Sequence, residues 1–304
     1  MGLANALCFH LARKQILTRQ REVTHNTLSS AATEKRQAVA DPAAYQHWRD
    51  KELRATFSRY FTPADVKDCD VVDFGCGDGG LSFMLSTLGA KSITGIDLSE
   101  AGIRAAQQRV QQSHGPVTPT FILTHSVTTV ELPSASADVL VCFDVLEHIM
   151  NYKIVIPEWK RVLRKNGRVL IAWTPWYNPY AHHLENMVPL PWAHVFFSEK
   201  TLIQTCQRIY DMPDWDPPSW DIDTNGHKKP NRWKNLFQLS DLNRLTMHQF
   251  EAECRGAGFA IARKQVSGFG SSPIARLTHV LLQVPRVQEF FTSMVGYTLQ
   301  KPHA

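Results

Sequence analysis

The sequence predicts an α/β fold: a mostly parallel seven-stranded sheet with helices on both faces and an aromatic-rich cap inserted after strand five. Three observations predict it. Between Asp70 and Pro175 short apolar runs alternate with segments of helical periodicity, and a glycine-rich loop breaks the first of those runs. Six of the eight tryptophans (Trp173, Trp176, Trp192, Trp215, Trp220 and Trp233) then crowd into a stretch where the alternation stops. Strand-helix-strand alternation demands crossover connections, which give parallel strands and place ligands at their carboxyl ends.

Residues 1–40 are rich in Ser, Thr, Gln and basic side chains, with no acid before Glu22. They read as an N-terminal arm packed on the core or over a site, the reading we favour, or as a mitochondrial targeting segment. Myristoylation is disfavoured, because "MGLANA" places Ala6 where that signal wants Ser or Thr. The domain proper is expected over 41–304, with strands near 70–75, 92–97, 119–125, 138–144 and 168–174 and helices near 79–88, 99–113 and 152–165. Residues 176–245 are too long for a plain connection and read as an inserted substrate cap. Its aromatic side chains suit a planar or greasy small molecule, or form the cap's own core. The stretch Lys228, Lys229, Arg232 and Lys234 reads as a solvated face or as a contact for a phosphate or carboxylate. Further on, "TMHQFEAECRGAGF" is a helix ending near Gly258, and "AIARKQVSG" and "VGYTLQK" are the last two strands. Between them "IARLTHVLLQVPRVQEFF" (274–291) reads as a pocket-lining helix or, second, as an interfacial helix giving peripheral membrane contact.

Composition narrows the function. At 304 residues, 43% apolar and 20% charged, the chain has an ordinary globular core. Its six cysteines form no CxxC pair, which points to reduced thiols in the cytoplasm, or in mitochondria if the first residues are a targeting segment. No apolar run reaches the length of a membrane span. The net charge of +5 is spread out rather than gathered in a basic stripe, which disfavours a nucleic-acid partner.

The chemistry starts at "VVDFGCGDGG" (71–80), a strand running into a loop that satisfies G-x-G-x-x-G through Gly75, Gly77 and Gly80. Such glycines let a ligand approach the backbone more closely than a Cβ allows and supply positive φ. Asp97, ending the second strand in "SITGIDLSE", can accept hydrogen bonds from both hydroxyls of a ribose. The pair says nucleoside without saying which, and a nicotinamide dinucleotide would need a second nucleotide half that is not visible.

Three further features decide it: Asp73 two residues before Gly75, a fourth strand running into "CFDVLEHI" (142–149), and "RVLRKNGRVLIAWTP" (161–175) with a turn at Gly167. Together these residues resemble the Rossmann-like class I S-adenosylmethionine-dependent methyltransferases, and among them the ubiquinone-biosynthesis O-methyltransferases. The resemblance covers roughly residues 45–175 and the terminal strands. It implies S-adenosylmethionine as cofactor, a small-molecule acceptor, and a loop for the methionine end shaped by Asp73, Gly75 and Gly77. Asp97 would bind the ribose with Leu98 beside it, Phe143 would lie along the cofactor, Arg54 would contact it, and Tyr45 or Trp48 would cap it. Where the family often has an acid after strand three, "FILTHSVTTV" offers His125, Ser126 and Val127, so adenine contacts there would be backbone or hydroxyl, with Ser126 the side chain named.

Methylating a hydroxyl requires in-line alignment and loss of a proton, hence a base or a metal. Asp144-x-x-Glu147-His148 resembles the acid-x-x-acid-His cluster that binds a divalent cation, Mg²⁺ or another, in ubiquinone O-methyltransferases and small-RNA 2'-O-methyltransferases. The same "LEH" occurs in metal-free relatives, where it only fixes the loop. His182, His183 and His194 follow strand five and are candidate bases beside Glu147 and His148, with His182 and His183 preferred. The expected function is methyl transfer to a hydroxyl of a phenolic, quinone-precursor or secondary-metabolite molecule. N- or C-methylation and a catalytically silent binding protein are the alternatives, and oligomeric state is left open.

Overall fold

The computed structural model describes residues 2–24, 42–113, 115–236, 239, 241–269, 278–285 and 287–302. They fall into two compact units: a smaller one of residues 1–48 and 177–242, and a larger one of 49–176 and 243–304. The chain therefore leaves the larger unit after Trp176 and returns at Asn243.

The larger unit is built on one sheet. Its strands are β1 (Asp70–Phe74), β2 (Ser92–Asp97), β3 (Thr120–Leu123), β4 (Ala137–Phe143), β5 (Leu163–Trp173), β6 (Ala260–Ser267) and β7 (Met294–Gln300), in the order β3-β2-β1-β4-β5-β7-β6. The first five run parallel, while β7 is antiparallel to both β5 and β6. Helices on both faces bury β4 from Val139 onward and the Val169–Trp173 end of β5, so both read there as continuous apolar runs rather than alternating ones. Leu140 and Cys142 of β4 join Val169, Ile171 and Trp173 of β5 in a core shared with Trp159 and Phe250. Val139, Val141 and Phe143 point the other way, into a core with Phe57, Tyr60, Leu81 and Leu85. Period-two alternation on adjacent strands thus sorts one apolar run into two cores.

Connecting helices follow the expected order: α2 (Pro42–Tyr60), α3 (Gly80–Thr87), α4 (Glu100–Gln112), α5 (Tyr152–Val162) and, after the insertion, α7 (Met247–Gly256). The expectation of a helix through residue 165 is corrected: Leu163 already pairs with Ala137, so the sheet takes over from the helix there. Asn166 then holds φ +61 in a bulge before Arg168 rejoins the register. The expected helix over 274–291 is also corrected for its described part. Residues 274–277 and 286 lie outside the described residues, and the rest forms two short 3-10 turns, His279–Gln283 and Gln288–Phe291. Pro285 stands between the turns, where it removes a backbone donor and biases Val284 away from helical geometry.

The smaller unit has a core of its own. Helix α1 (Leu3–Thr24) packs Cys8, Ala12 and Ile16 against Leu202, Cys206 and Ile209 of α6 (Glu199–Tyr210). Trp215 and Trp233 are buried in that core, so these two insertion tryptophans serve packing. Trp220 is 40% exposed and meets Tyr45 edge-on, with ring centroids 5.9 Å apart. Of the N-terminal segment, residues 25–40 lie outside the described residues.

The glycine loop connects β1 to α3 and is held from β2. Gly75 and Cys76 both donate their N–H to the Ile96 carbonyl, at 2.9 and 3.1 Å. Gly75 has φ +76, and a Cβ there would sit 2.6 Å from both γ-methyls of Val145. Gly77 also has positive φ, +53, but open space around it. The two substitutions to alanine should therefore separate. Gly77→Ala carries only the left-handed backbone cost, about 1–2 kcal/mol, whereas Gly75→Ala adds a collision and should be the more destabilising in urea unfolding. Equal midpoints for the two variants would overturn the assignment of Val145 as the limiting contact.

Candidate functional site

At the carboxyl ends of β1, β2 and β4 lies a cavity of about 420 Å³, within the usual ~300–1,000 Å³ of small-molecule sites. Of the residues named from sequence, Gly75, Asp97, Leu98, Ser126 and His148 line it, whereas Arg54, Asp73, Gly77, Phe143, Asp144 and Glu147 do not. Asp97 ends β2 and its carboxylate ties the loops together. One oxygen accepts the Gly77 N–H at 2.8 Å and the other accepts the Ser99 N–H at 2.7 Å. Ser99 in turn caps α4, its hydroxyl accepting from the Gly102 N–H.

Much of the rest of the wall is apolar, yet wet. Leu98, Val127 and Met150 line the cavity and are each more than half exposed. Large apolar side chains left in water around a concavity are the signature of a site for a flat apolar group. After β3, Ser126 spends its hydroxyl locally, accepting the Thr129 N–H at 2.8 Å. No lysine or arginine is among the residues that line the cavity.

Two acids lie below the site. Asp73 is buried and accepts a 2.6 Å hydrogen bond from the Ser82 hydroxyl, so it braces the loop against α3 from beneath. Burial, with Asp97 and Asp78 nearby, raises its pKa to about 7, even though the Ser82 bond pulls the other way. Glu147 is buried in the loop after β4, and its Oε2 has no hydrogen-bond partner. Desolvation first, and the neighbouring Asp144 second, raise its pKa to about 8. Asn243 holds this loop by donating from its side chain to the Leu146 and Ile149 carbonyls and from its backbone to that of Glu147.

Several expectations are corrected. Phe143 is a core residue, its ring 5.5 Å from Phe61 and 6.2 Å from Phe57, and its side chain does not face the cavity. Arg54 lines a separate hollow with Phe57, Phe61, Met84 and Leu88. The arginine of α2 that reaches the loop after β4 is Arg49, bonded to Asp144 at 2.8 Å. Asp144 holds φ +53, a left-handed conformation that aims its carboxylate at that partner. Asp144, Glu147 and His148 do not bring one ligand atom each within 4.8 Å of one another, although Glu147 and His148 do so as a pair.

The three insertion histidines belong to the smaller unit. His182 is fully buried there: Nδ1 accepts the Leu184 N–H at 3.0 Å, and Nε2 faces the Leu190 carbonyl at 3.3 Å. A ring whose Nδ1 is an acceptor carries its proton on Nε2, which leaves no lone pair to take another. Desolvation, with His194 next, lowers its pKa to about 4. His182 is therefore a structural histidine, which corrects the preference given it from sequence. His194 stacks near it at 5.3 Å, and His183 holds a positive φ of +54.

Residues 72–171 match the family described as Methyltransferase domain. The sheet and glycine loop just described thus carry, over that stretch, a methyltransferase domain. Among curated proteins the chain is similar to the ubiquinone biosynthesis O-methyltransferase of Glaesserella parasuis, 32% identical over 108 residues, 34% of this chain and 44% of that protein. It is also similar to a ribosomal-protein methyltransferase of Pseudomonas fluorescens, 28% identical over 110 residues, 36% of this chain and 35% of that one. The chain thus spans less than half the length of these relatives. A solved S-adenosylmethionine-dependent methyltransferase from Mesorhizobium loti matches with TM-score 0.46 at 16% identity, covering 82% of this chain and 96% of that one.

Two measurements check the site. Asp97→Ala should weaken binding of S-adenosylhomocysteine in calorimetry by about tenfold or more, the loss of two charge-assisted bonds, with the sheet's circular dichroism retained. Glu147 supplies a pH signature. Its carboxyl is held neutral in the folded chain, so stability is full below about pH 4.5 and falls as pH rises toward about 8. Glu147→Gln should flatten that slope in melting temperature between those limits, and an unchanged slope would remove Glu147 as its source.

Proposed function

We propose that this chain transfers the methyl group of S-adenosylmethionine to a hydroxyl of a small phenolic, quinone-precursor or secondary-metabolite molecule. The observation that carries the cofactor half is the charge of the cavity and its floor. Asp97 lines the wall, Asp73 lies beneath, Asp78 lies close enough to raise the Asp73 pKa, and no lysine or arginine lines the cavity. A sulfonium cation relieves that acidic field, whereas the pyrophosphate of a dinucleotide would be repelled by it. The acceptor half rests on similarity to the ubiquinone biosynthesis O-methyltransferases.

In this reading the Asp97 carboxylate takes the ribose hydroxyls while still accepting from Gly77 and Ser99. Leu98, Val127 and Ile149 supply the apolar faces for adenine, and Ser126 presents its backbone to the ring's edge. Gly75 lets the ligand lie against main chain. Bound there, the cofactor supplies an electrophilic methyl group on sulfur.

Proton removal falls to His148, the exposed histidine on the cavity wall. A divalent cation is the second reading, favoured by the closeness of Glu147 and His148. It would require Asp144 to leave its 2.8 Å bond with Arg49.

The test has three arms. Calorimetry with S-adenosylhomocysteine should show binding and NAD should show none. With a catechol acceptor, His148→Ala should lower kcat by about 10²–10⁴, the range of a general base, while leaving S-adenosylhomocysteine affinity unchanged and EDTA without effect. Loss of turnover in EDTA, restored by Mg²⁺, would replace the histidine reading with the cation reading. Methylated nitrogen or carbon in the product spectrum would replace O-methylation.

A further inference from the structure

Helix α1 has two apolar faces, and the described residues bury only one of them. Cys8, Ala12 and Ile16 are buried in the smaller unit. Leu3, Leu7 and Leu11 form a separate row at i, i+4 and i+8, exposed by 87%, 49% and 36%. At ~100° per residue the three fall within an arc of about 80°, roughly opposite the buried face, and the row is about 12 Å long. Lys14 and Thr18 continue the same strip and Arg13 lies about 80° round from Leu3, all of them exposed. No acid occurs in residues 2–21.

We propose that this outer face of α1 docks on an anionic lipid surface. Two observations choose the occupant. A second helix packing along the row would use positions 3, 7, 10 and 14, which puts His10 and Lys14 in the seam beside only two leucines. A bilayer interface instead takes the leucines among its acyl chains while Arg13 and Lys14 extend to the phosphates. The absence of acids over the same turns matches a negative surface. With only three leucines the attachment is reversible and sensitive to salt.

The full chain should be sedimented with vesicles of phosphatidylcholine alone and of phosphatidylcholine with phosphatidylglycerol. The bound fraction should rise with phosphatidylglycerol and fall with added salt. Leu7→Asp combined with Leu11→Asp should reduce binding about tenfold or more, and Lys14→Glu should reduce it on the anionic vesicles alone. Circular dichroism and S-adenosylhomocysteine titration should be unchanged in both. If the double variant unfolds, Leu3→Asp at the first turn reads the same face. No sedimentation with either vesicle, or equal binding by wild type and variants, would overturn the proposal. So would a concentration-dependent dimer of the wild type that Leu7→Asp abolishes, since the face would then belong to a second copy.

Discussion

The site depends on one carboxylate. Asp97 sits where β2 ends and accepts two backbone N–H groups from different directions, Gly77 from the glycine loop and Ser99 from the start of α4. Charge-assisted bonds of this kind are roughly twice as strong as neutral ones and fix direction as well as distance. Through Gly77 the acid holds the loop's left-handed turn, and through Ser99 it sets the cap of α4. The backbone of α4 then comes so close to the loop that even Gly102 has room for little more than a hydrogen, a Cβ there lying 3.1 Å from the Gly77 carbonyl carbon and oxygen. The same residue that would read a ribose therefore also builds the wall in which it would be read.

Acids under the site carry an energetic cost that shapes its chemistry. Asp73, Cys142 and Glu147 lie in or beside the sheet's interior, and burial raises the pKa of each. Each ionised acid also raises its neighbours, Asp97 acting on Asp73 and Asp144 on Glu147. Burial thus favours the neutral form of these groups, and the acid on the cavity wall itself is Asp97, with no lysine or arginine beside it in the lining. Arg49 moderates the field on one side, where it pairs with Asp144 and lowers the pKa of Glu147. Arg109 does so on the other, where it bonds Asp50 at 2.8 Å and Asp78 at 3.4 Å. Adjacent residues of α2, Arg49 and Asp50, thus reach the loop after β4 and the Arg109 network that flanks the glycine loop.

What was legible in the sequence was whatever local chemistry decides. Strand and helix order follow from apolar period, the loop from its glycines, and Asp97 from its place at a strand's end; the sheet forms as that reading implies. Errors arose where a side chain's direction was needed. Arg49 and Arg54 lie on one helix five residues apart, which turns them about 140° from each other, and sequence alone does not say which face meets the loop. Phe143 follows the alternation of β4 into the core, a fact fixed only once Phe57 and Phe61 of α2 are known to cover that face. His182 looked like a base because it is a histidine after strand five, but its ring is consumed by two backbone groups of its own turn. That an N-terminal helix would share a core with an insertion nearly two hundred residues away has no local signal at all.

The family similarity to methyltransferases falls on the larger unit. Every residue lining the cavity lies between Phe74 and Val155, inside the matched stretch 72–171. That stretch is constrained from several sides at once: positive φ at Gly75, the Asp97 bonds, and a β4 buried from Val139 to Phe143. The smaller unit answers to a different constraint, the packing of α1 on α6 around Tyr210, Trp215 and Trp233. The relatives that match this stretch carry names as different as ubiquinone biosynthesis and ribosomal-protein methylation, so the shared stretch does not choose the methyl acceptor.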